Sequence, residues 1–297
     1  MDTPFAAVFV PLALAVIMFG LGLSMSVDDF RRVRRHPRAV VVALFCQSLL
    51  LPAACFGLVI ALGLSPVLAV GMMLLAASPG GTTANLYSHL FGGDVALNVT
   101  LTALNAVLAI VTMPIVANLS LHYFDPDIGQ DGVGLQFDKV VPVLVVVLIP
   151  VVIGLLVRRR SPAWAARMDT PVRRLSILAL VGIVVGTAVS EWSDMGSHLA
   201  DAGPATLIFC ALSLAVGYLV PRMVGVDKRQ AIATSMEIGV HNSAVAMTIA
   251  IAVLGDVSLA VPAAVYGVLC CPAAAVAGLL ITRFGRPAPV EAPAHTP

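Results

Sequence analysis

Nine runs of predominantly apolar residues dominate this sequence, at 5–24, 39–63, 66–92, 94–122, 139–157, 170–190, 203–221, 228–254 and 257–282. Each comes close to, or exceeds, the roughly 20 residues an α-helix needs to cross a bilayer core. Lipid offers the backbone no hydrogen-bond partners, so segments of this kind must satisfy themselves as helices. Composition agrees. Of 297 residues, 59% are apolar and 11% charged, against about 25% charged in soluble chains. So few charges could not cover a soluble surface. The expected fold is an all-α polytopic membrane protein with nine transmembrane helices.

Charge placement tests the span count. With nine alternating spans, the segments 25–38, 158–169, 222–229 and the C-terminus share one side, and at or near them sit 16 of the 17 basic residues. Lys139 alone falls opposite, where the loops carry Asp125, Asp127, Asp131, Asp138, Glu191, Asp194, Asp201 and Asp256. Basic loops stay cytoplasmic, which predicts an outer N-terminus and a cytoplasmic C-terminus. An error in the count would scramble this segregation from that point onward. The first run is read as a span rather than a cleaved leader, because Met1-Asp2-Thr3 supplies no basic segment before it. The five cysteines lie within apolar runs and read as small packing residues. The Pro/Ala-rich stretch 285–297 reads as a disordered cytoplasmic tail.

Two of the spans cannot be continuous helices. In 66–92 the run Ala77-Ser78-Pro79-Gly80-Gly81-Thr82-Thr83-Ala84-Asn85 removes a backbone donor and adds two weak helix formers. In 228–254 the run Glu237-Ile238-Gly239-Val240-His241-Asn242-Ser243 sets a carboxyl, an imidazole and an amide near the expected midplane. Each break is followed by a similar Gly-Asp-Val pattern, at Gly93-Asp94-Val95 and Gly255-Asp256-Val257. The charge count puts Asp94 on the cytoplasmic side and Asp256 on the outer side. That opposition predicts an inverted repeat, whose interrupted helices are the best sequence pointer to a transporter's binding site. Freed helix N-termini suit anions. Unwound carbonyls and neighbouring side-chain oxygens suit a hard cation such as sodium.

Glu237 is the one carboxylate inside the hydrocarbon part of any span. A charge there costs roughly 2.5–3.5 kcal/mol on insertion scales, so a role is expected for it. His241 follows by four residues and reads equally as a proton carrier or as a neutral structural donor. Gln47 reads as a ligand or as a helix bridge. Asn98 and Thr102 lie one turn apart with Asn105 on nearly the same face. His89 and His122 read as interfacial, and His36 and His198 as loop residues. No phosphate-binding loop, nucleophile elbow or zinc-protease motif occurs, and no basic patch interleaved with aromatics suggests nucleic acid. These features point to a secondary transporter, ahead of a membrane sensor or a membrane enzyme.

The segments Ser78–Asn85, Gly93–Asn98 and Glu237–Asn242, with Gly20-Leu21-Gly22-Leu23-Ser24 and Asp29-Phe30, resemble the bile acid:sodium symporter family over about 5–284. The resemblance implies a single transporter domain at 5–284 with two crossing discontinuous helices. Its core would be 39–63, 66–122 and 203–282, and its panel 5–24, 139–157 and 170–190. It further implies a sodium site at Asn85, Asn98, Thr102 and Glu237. A second would use Gln47, Glu237, the Ile238 and Val240 carbonyls and the side chain of residue 241. Thr82, Thr83 and Asn242 would face substrate. Two positions depart from the family pattern. Ala84 stands where a serine is common, and His241 where a glutamine is common. Nitrogen is a poor ligand for a hard cation, so the second site is expected to be weakened or replaced by a proton. The implied activity is sodium-coupled symport of an organic anion (bile-acid-like or a small carboxylate) across the bacterial inner membrane. Proton coupling on the same plan is the alternative. No organic cofactor is implied. Substrate identity and oligomeric state are not readable.

Overall fold

The computed structural model describes residues 36–81, 83–126, 137–168 and 195–283, with 15–16, 19–20, 22–23, 33–34, 170–172, 174–175 and 178. For 137–148, 195–199 and 252 it describes the backbone alone. Thr82 and the tail 285–297 lie outside the described residues, as do most of the expected spans 5–24 and 170–190.

The described elements are helical: α1 (Pro37–Phe45), a π-turn (Cys46–Leu50), α2 (Leu51–Ala61), α3 (Pro66–Ala77), α4 (Thr83–Leu90), α5 (Val95–Phe124), α6 (Phe137–Arg160), α7 (Met195–Met223), α8 (Lys228–Gly239), α9 (Ser243–Ala252), a 3-10 turn (Ser258–Ala260) and α10 (Val261–Arg283). Among the described residues four continuous helical stretches are long and apolar enough to cross a membrane: Pro37–Ala61, Val95–Phe124, Ala200–Met223 and Ser258–Arg283. One expectation needs correction. His198, read as a loop residue, lies in α7, which begins at Met195 rather than near 203.

The side chains are distributed inside out. Val41, Phe45, Leu49, Val111, Ile115, Leu119, Leu219, Val268 and Leu279 are exposed, whereas Gln47, Asn98, Thr102, Asn105, Glu237 and His241 are buried. Apolar residues on the outside of that many helices require a lipid solvent, and polar ones inside mark a functional interior. The shared core draws on α1–α10, α6 contributing Val151, with α3 buried along most of its length. Phe19, Gly22 and Leu23 lie so close to α6 that a Cβ on Gly22 or Gly154 would overlap the opposing backbone.

Both expected interruptions are present. α3 ends at Ala77, and Ser78 is extended (φ −68°, ψ 146°), as the residue before a proline prefers. α8 ends at Gly239, and Val240 leaves the helix (φ −115°, ψ 78°). The two unwound segments then pair with each other through an isolated antiparallel bridge between Gly80 and His241. The Gly81 N–H donates to the Val240 carbonyl at 2.6 Å, and the Asn242 N–H donates to the Pro79 carbonyl at 2.8 Å. Each break thus satisfies backbone groups that the other exposes. The Tyr266 hydroxyl, from α10, caps the Gly239 carbonyl at 2.7 Å.

Three helix starts, those of α5, α8 and α9, carry side-chain caps. Asp94 accepts from the Leu97 N–H at 3.0 Å. Asp227 accepts from Arg229 and Gln230 at 2.8 and 3.2 Å, and Asn242 from Val245 at 3.2 Å. After each broken helix a glycine turns the chain with positive φ, Gly92 at 72° and Gly255 at 73°.

α7 packs most extensively on α8, the first half of the second broken helix. Glycines make this approach possible. A Cβ on Gly217 would lie 2.8 Å from Ser235 Cα, and one on Gly239 would overlap the Leu214 side chain. Small residues at such crossings let membrane helices gain packing contacts where no hydrophobic effect drives them together. Gly217→Val is therefore expected to lower stability by about 1–3 kcal/mol, the usual cost of overpacking. Thermal unfolding of the detergent-solubilised protein checks this, and an unchanged midpoint would contradict the close crossing.

Candidate functional site

Glu237 lies one turn before the second break and is fully buried. α5 supplies both of its hydrogen-bond donors. Thr102 Oγ1 donates to Oε2 at 2.6 Å, and Asn105 Nδ2 donates to Oε1 at 3.1 Å. The Thr102 hydroxyl also lies 3.0 Å from the carbonyl of Asn98. It has one proton to give, and the shorter contact to the acid is the stronger. The third side of the carboxyl is backbone. A Cβ on Gly80 would overlap Glu237, so only glycine lets the first break approach the acid this closely.

A π-turn places Gln47. The Leu51 N–H reaches back five residues to the Cys46 carbonyl, just ahead of Pro52, which cannot donate to Ser48 and whose ring crowds that carbonyl. Gln47 is buried and donates from Nε2 to the Ser78 carbonyl at 2.8 Å, tying this span to the first break. His241 sits beside it. Its Nδ1 lies 3.4 Å from the Ser78 carbonyl and 3.5 Å from Gln47 Nε2, and its Nε2 lies 3.5 Å from Ser213 Oγ. All three contacts are long. The ring is held mainly by aromatics: it stacks on Phe209 (centroids 5.3 Å apart, planes at 24°) and meets Tyr266 edge-on at 5.5 Å.

The carboxamides show a consistent polarity. Gln47 donates to a carbonyl, Asn105 to the carboxylate, and Asn98 Nδ2 to the Ala233 carbonyl at 2.7 Å. An acceptor fixes the NH2 end of each amide, so the oxygen is the end left over. Gln47 Oε1, Asn98 Oδ1, Asn105 Oδ1 and Asn85 Oδ1 are buried and have no hydrogen-bond partner among the described residues. Leaving such an oxygen unpaired costs about 1–3 kcal/mol each. Four such oxygens in one interior are unfavourable unless something takes them, and oxygen is the donor that a hard cation prefers.

Most of the residues expected from the sequence therefore meet. Asn98, Thr102, Glu237, Gln47 and His241 converge, and the Asn85 oxygen is buried just after the first break. Ile238 is buried, and the Val240 carbonyl already holds the Gly81 N–H. Thr83 opens α4 and is exposed. Asn242 caps α9 with its side-chain oxygen. Thr82 lies outside the described residues. Asn105 was noted for its face but not counted as a site residue. Its spacing, seven residues after Asn98 and three after Thr102, carries the signal. The slot of Phe209 and Tyr266 had no signal, since aromatics in apolar spans are commonplace.

Comparison with known proteins places this geometry in a family. Residues 11–195 match the Sodium Bile acid symporter family. The chain is 30% identical to an uncharacterized sodium-dependent transporter, YocS, of Bacillus subtilis, over 88% of this chain and 78% of that one. It is 29% identical to a probable chloroplastic sodium/metabolite cotransporter, BASS1, of Arabidopsis thaliana, over 86% of this chain and 62% of the relative. The human ileal sodium/bile acid cotransporter is 24% identical over 80% of this chain and 67% of its own length. The chain thus spans less than two thirds of the chloroplast relative. With apolar helices, two paired breaks and a family profile over most of its length, this integral membrane protein belongs to the sodium bile acid symporter family.

Proposed function

We propose that this chain is a sodium-coupled symporter of an organic anion in a bacterial inner membrane, with its N-terminus outside and its C-terminus cytoplasmic. The observation that carries the reading is the buried acid Glu237, held by Thr102 and Asn105 of α5, with the side-chain oxygens of Asn98 and Asn105 on that same stretch of α5 buried and unpartnered among the described residues. A sodium ion held by Asn85, Asn98, Thr102 and Glu237 would neutralise the buried acid and satisfy oxygens that no described residue satisfies. The anion belongs at the paired breaks. There the half-helices α4 and α9 begin, and the partial positive charge of their N-termini suits an anion, which Thr82, Thr83 and Asn242 would face on this reading.

Coupling follows from the hydrogen bonds. Ligands of the ion would come from α4, α5 and α8, and Gly80 of the first break touches the same carboxyl. An ion that pulls these groups together favours one arrangement of the breaks and so one substrate affinity. Alternating access would come from the core (39–63, 66–122 and 203–282) rocking against the panel (5–24, 139–157 and 170–190), in the manner of an inverted repeat. The relatives' names speak of bile acids and metabolites, and the substrate class here is organic anions at large.

Sodium is expected to stabilise the solubilised protein relative to potassium, by about 2.7 kcal/mol at 100 times its Kd. Glu237→Gln should abolish this stabilisation, together with sodium-driven uptake into proteoliposomes, while the protein stays folded. Undiminished sodium-driven uptake in that variant would sink the assignment, and uptake that follows pH but not sodium would favour proton coupling. A separate test concerns His241, whose imidazole offers no oxygen. His241→Gln is expected to raise apparent sodium affinity by about tenfold, near 1.4 kcal/mol. An unchanged sodium titration would count against the imidazole being the weak member of the site.

A further inference from the structure

α6 ends in three consecutive arginines, Arg158, Arg159 and Arg160. The stretch 158–174 as a whole carries six arginines and one acid, Asp169. One carboxylate cannot neutralise six guanidiniums. Arg159, Arg160, Arg167 and Arg174 are exposed, and Trp164 stands between them with 47% of its surface open. An exposed indole suits the boundary between acyl chains and headgroups, because its ring is apolar and its N–H needs an acceptor. Apolar faces lead into this segment from both sides. On α6, Ile149, Val152, Ile153 and Leu156 are exposed at spacings of three and four, which is one face of a helix. Val151 and Gly154 lie off that face and pack against Gly22, Phe19 and Leu23. Arg159 and Arg160 follow Leu156 by three and four residues, so the apolar face runs straight into guanidiniums. Beyond them, Leu175 and Leu178 are exposed beside Arg174.

We infer that this end of α6 binds the headgroup of an anionic glycerophospholipid, with Arg159, Arg160 and Arg167 facing its phosphate and Trp164 and the α6 face against its glycerol and acyl chains. Charge selects the class. A zwitterionic lipid brings an ammonium that these arginines repel, whereas an anionic one leaves its phosphate uncompensated. Guanidinium forks also match phosphate oxygens in pairs. The apolar face selects a lipid over other anions. Free phosphate would meet the arginines but leave Trp164 and Leu156 uncovered, and so would a nucleic acid. The inference needs only the membrane character of the chain, and its failure would leave sodium coupling intact. On the proposed division into core and panel, α6 belongs to the panel. A lipid held there would tether the panel to the bilayer while the core moves.

The simpler possibility is that the arginines only fix orientation, as basic loops do. That role asks for charge and for no preferred lipid. Trp164 itself reports the difference. With Trp192→Phe it becomes the sole tryptophan, and lipids brominated on their acyl chains quench it on contact. The full-length protein is reconstituted into vesicles that mix phosphatidylglycerol and phosphatidylcholine at one fixed ratio, with bromine on one lipid or on the other. Brominated phosphatidylglycerol is expected to quench Trp164 more strongly than brominated phosphatidylcholine at equal mole fraction. Replacing Arg159, Arg160 and Arg167 together by Gln should erase the difference, and Arg167→Gln alone should lower the relative affinity about fivefold. If the triple variant does not assemble, the single variant decides. Equal quenching by the two lipids in the Trp192→Phe protein would overturn the inference without any arginine variant. A preference unchanged after the arginine substitutions would overturn it as well. So would a preference abolished by inorganic phosphate at constant ionic strength, since the site would then be one for free phosphate.

Discussion

Two interrupted helices inside a membrane each expose backbone groups that lipid cannot satisfy, and either break alone would be costly. Here the breaks satisfy each other. The Gly81 N–H meets the Val240 carbonyl and the Asn242 N–H meets the Pro79 carbonyl, so a two-bond antiparallel bridge replaces the missing helical bonds. Most of the site depends on this pairing. Glycine at 80 permits contact with the Glu237 carboxyl. Ser78, forced into extended geometry by Pro79, turns its carbonyl toward Gln47 and His241. The half-helices α4 and α9 then begin on either side of the pair.

The polar interior follows one rule: nitrogen donors find acceptors in the protein, and oxygens stay free. Asn98, Asn105 and Gln47 each spend their NH2 on a carbonyl or carboxylate from another element. Each such bond ties two elements together and aims an oxygen inward. The same side chains therefore brace the interior and, on the proposed reading, would offer oxygen to a cation. A protein built only for rigidity would gain by pairing those oxygens, because an unsatisfied buried acceptor costs more than a hydrogen bond returns.

Much of this was readable before the structure, for physical reasons. Hydropathy and charge segregation reflect the bilayer directly, so membrane character and the two breaks stood out, and Pro79-Gly80-Gly81 leaves a helix few options. Glu237 stood out because a buried acid in a span is expensive. Other features depend on tertiary geometry and escaped. Asn105 shares a helical face with Asn98 and Thr102, yet nothing in that spacing shows its nitrogen on Oε1 and its oxygen buried without a partner among the described residues. The π-turn arises from one proline in an apolar helix, and such prolines usually give ordinary kinks. His241 was read as a sodium ligand lost or a proton carrier gained. The stack on Phe209 and the edge of Tyr266, which set its orientation, come from distant spans.

The position of Glu237 explains why ion and substrate should sense each other. The acid sits one turn from its own break and touches the other through Gly80, while its hydrogen bonds run to α5. A cation that draws these oxygens inward cannot do so without setting the spacing between the two breaks, because the bridge holds them in register. The N-termini of α4 and α9 begin two to three residues beyond that bridge, too few to absorb a shift by bending. On the proposed reading, affinity for an anion at those N-termini would be tied to occupancy around Glu237 by covalent geometry and four hydrogen bonds: two across the breaks and two to the acid. Reciprocity then requires that the anion strengthen cation binding by the same factor.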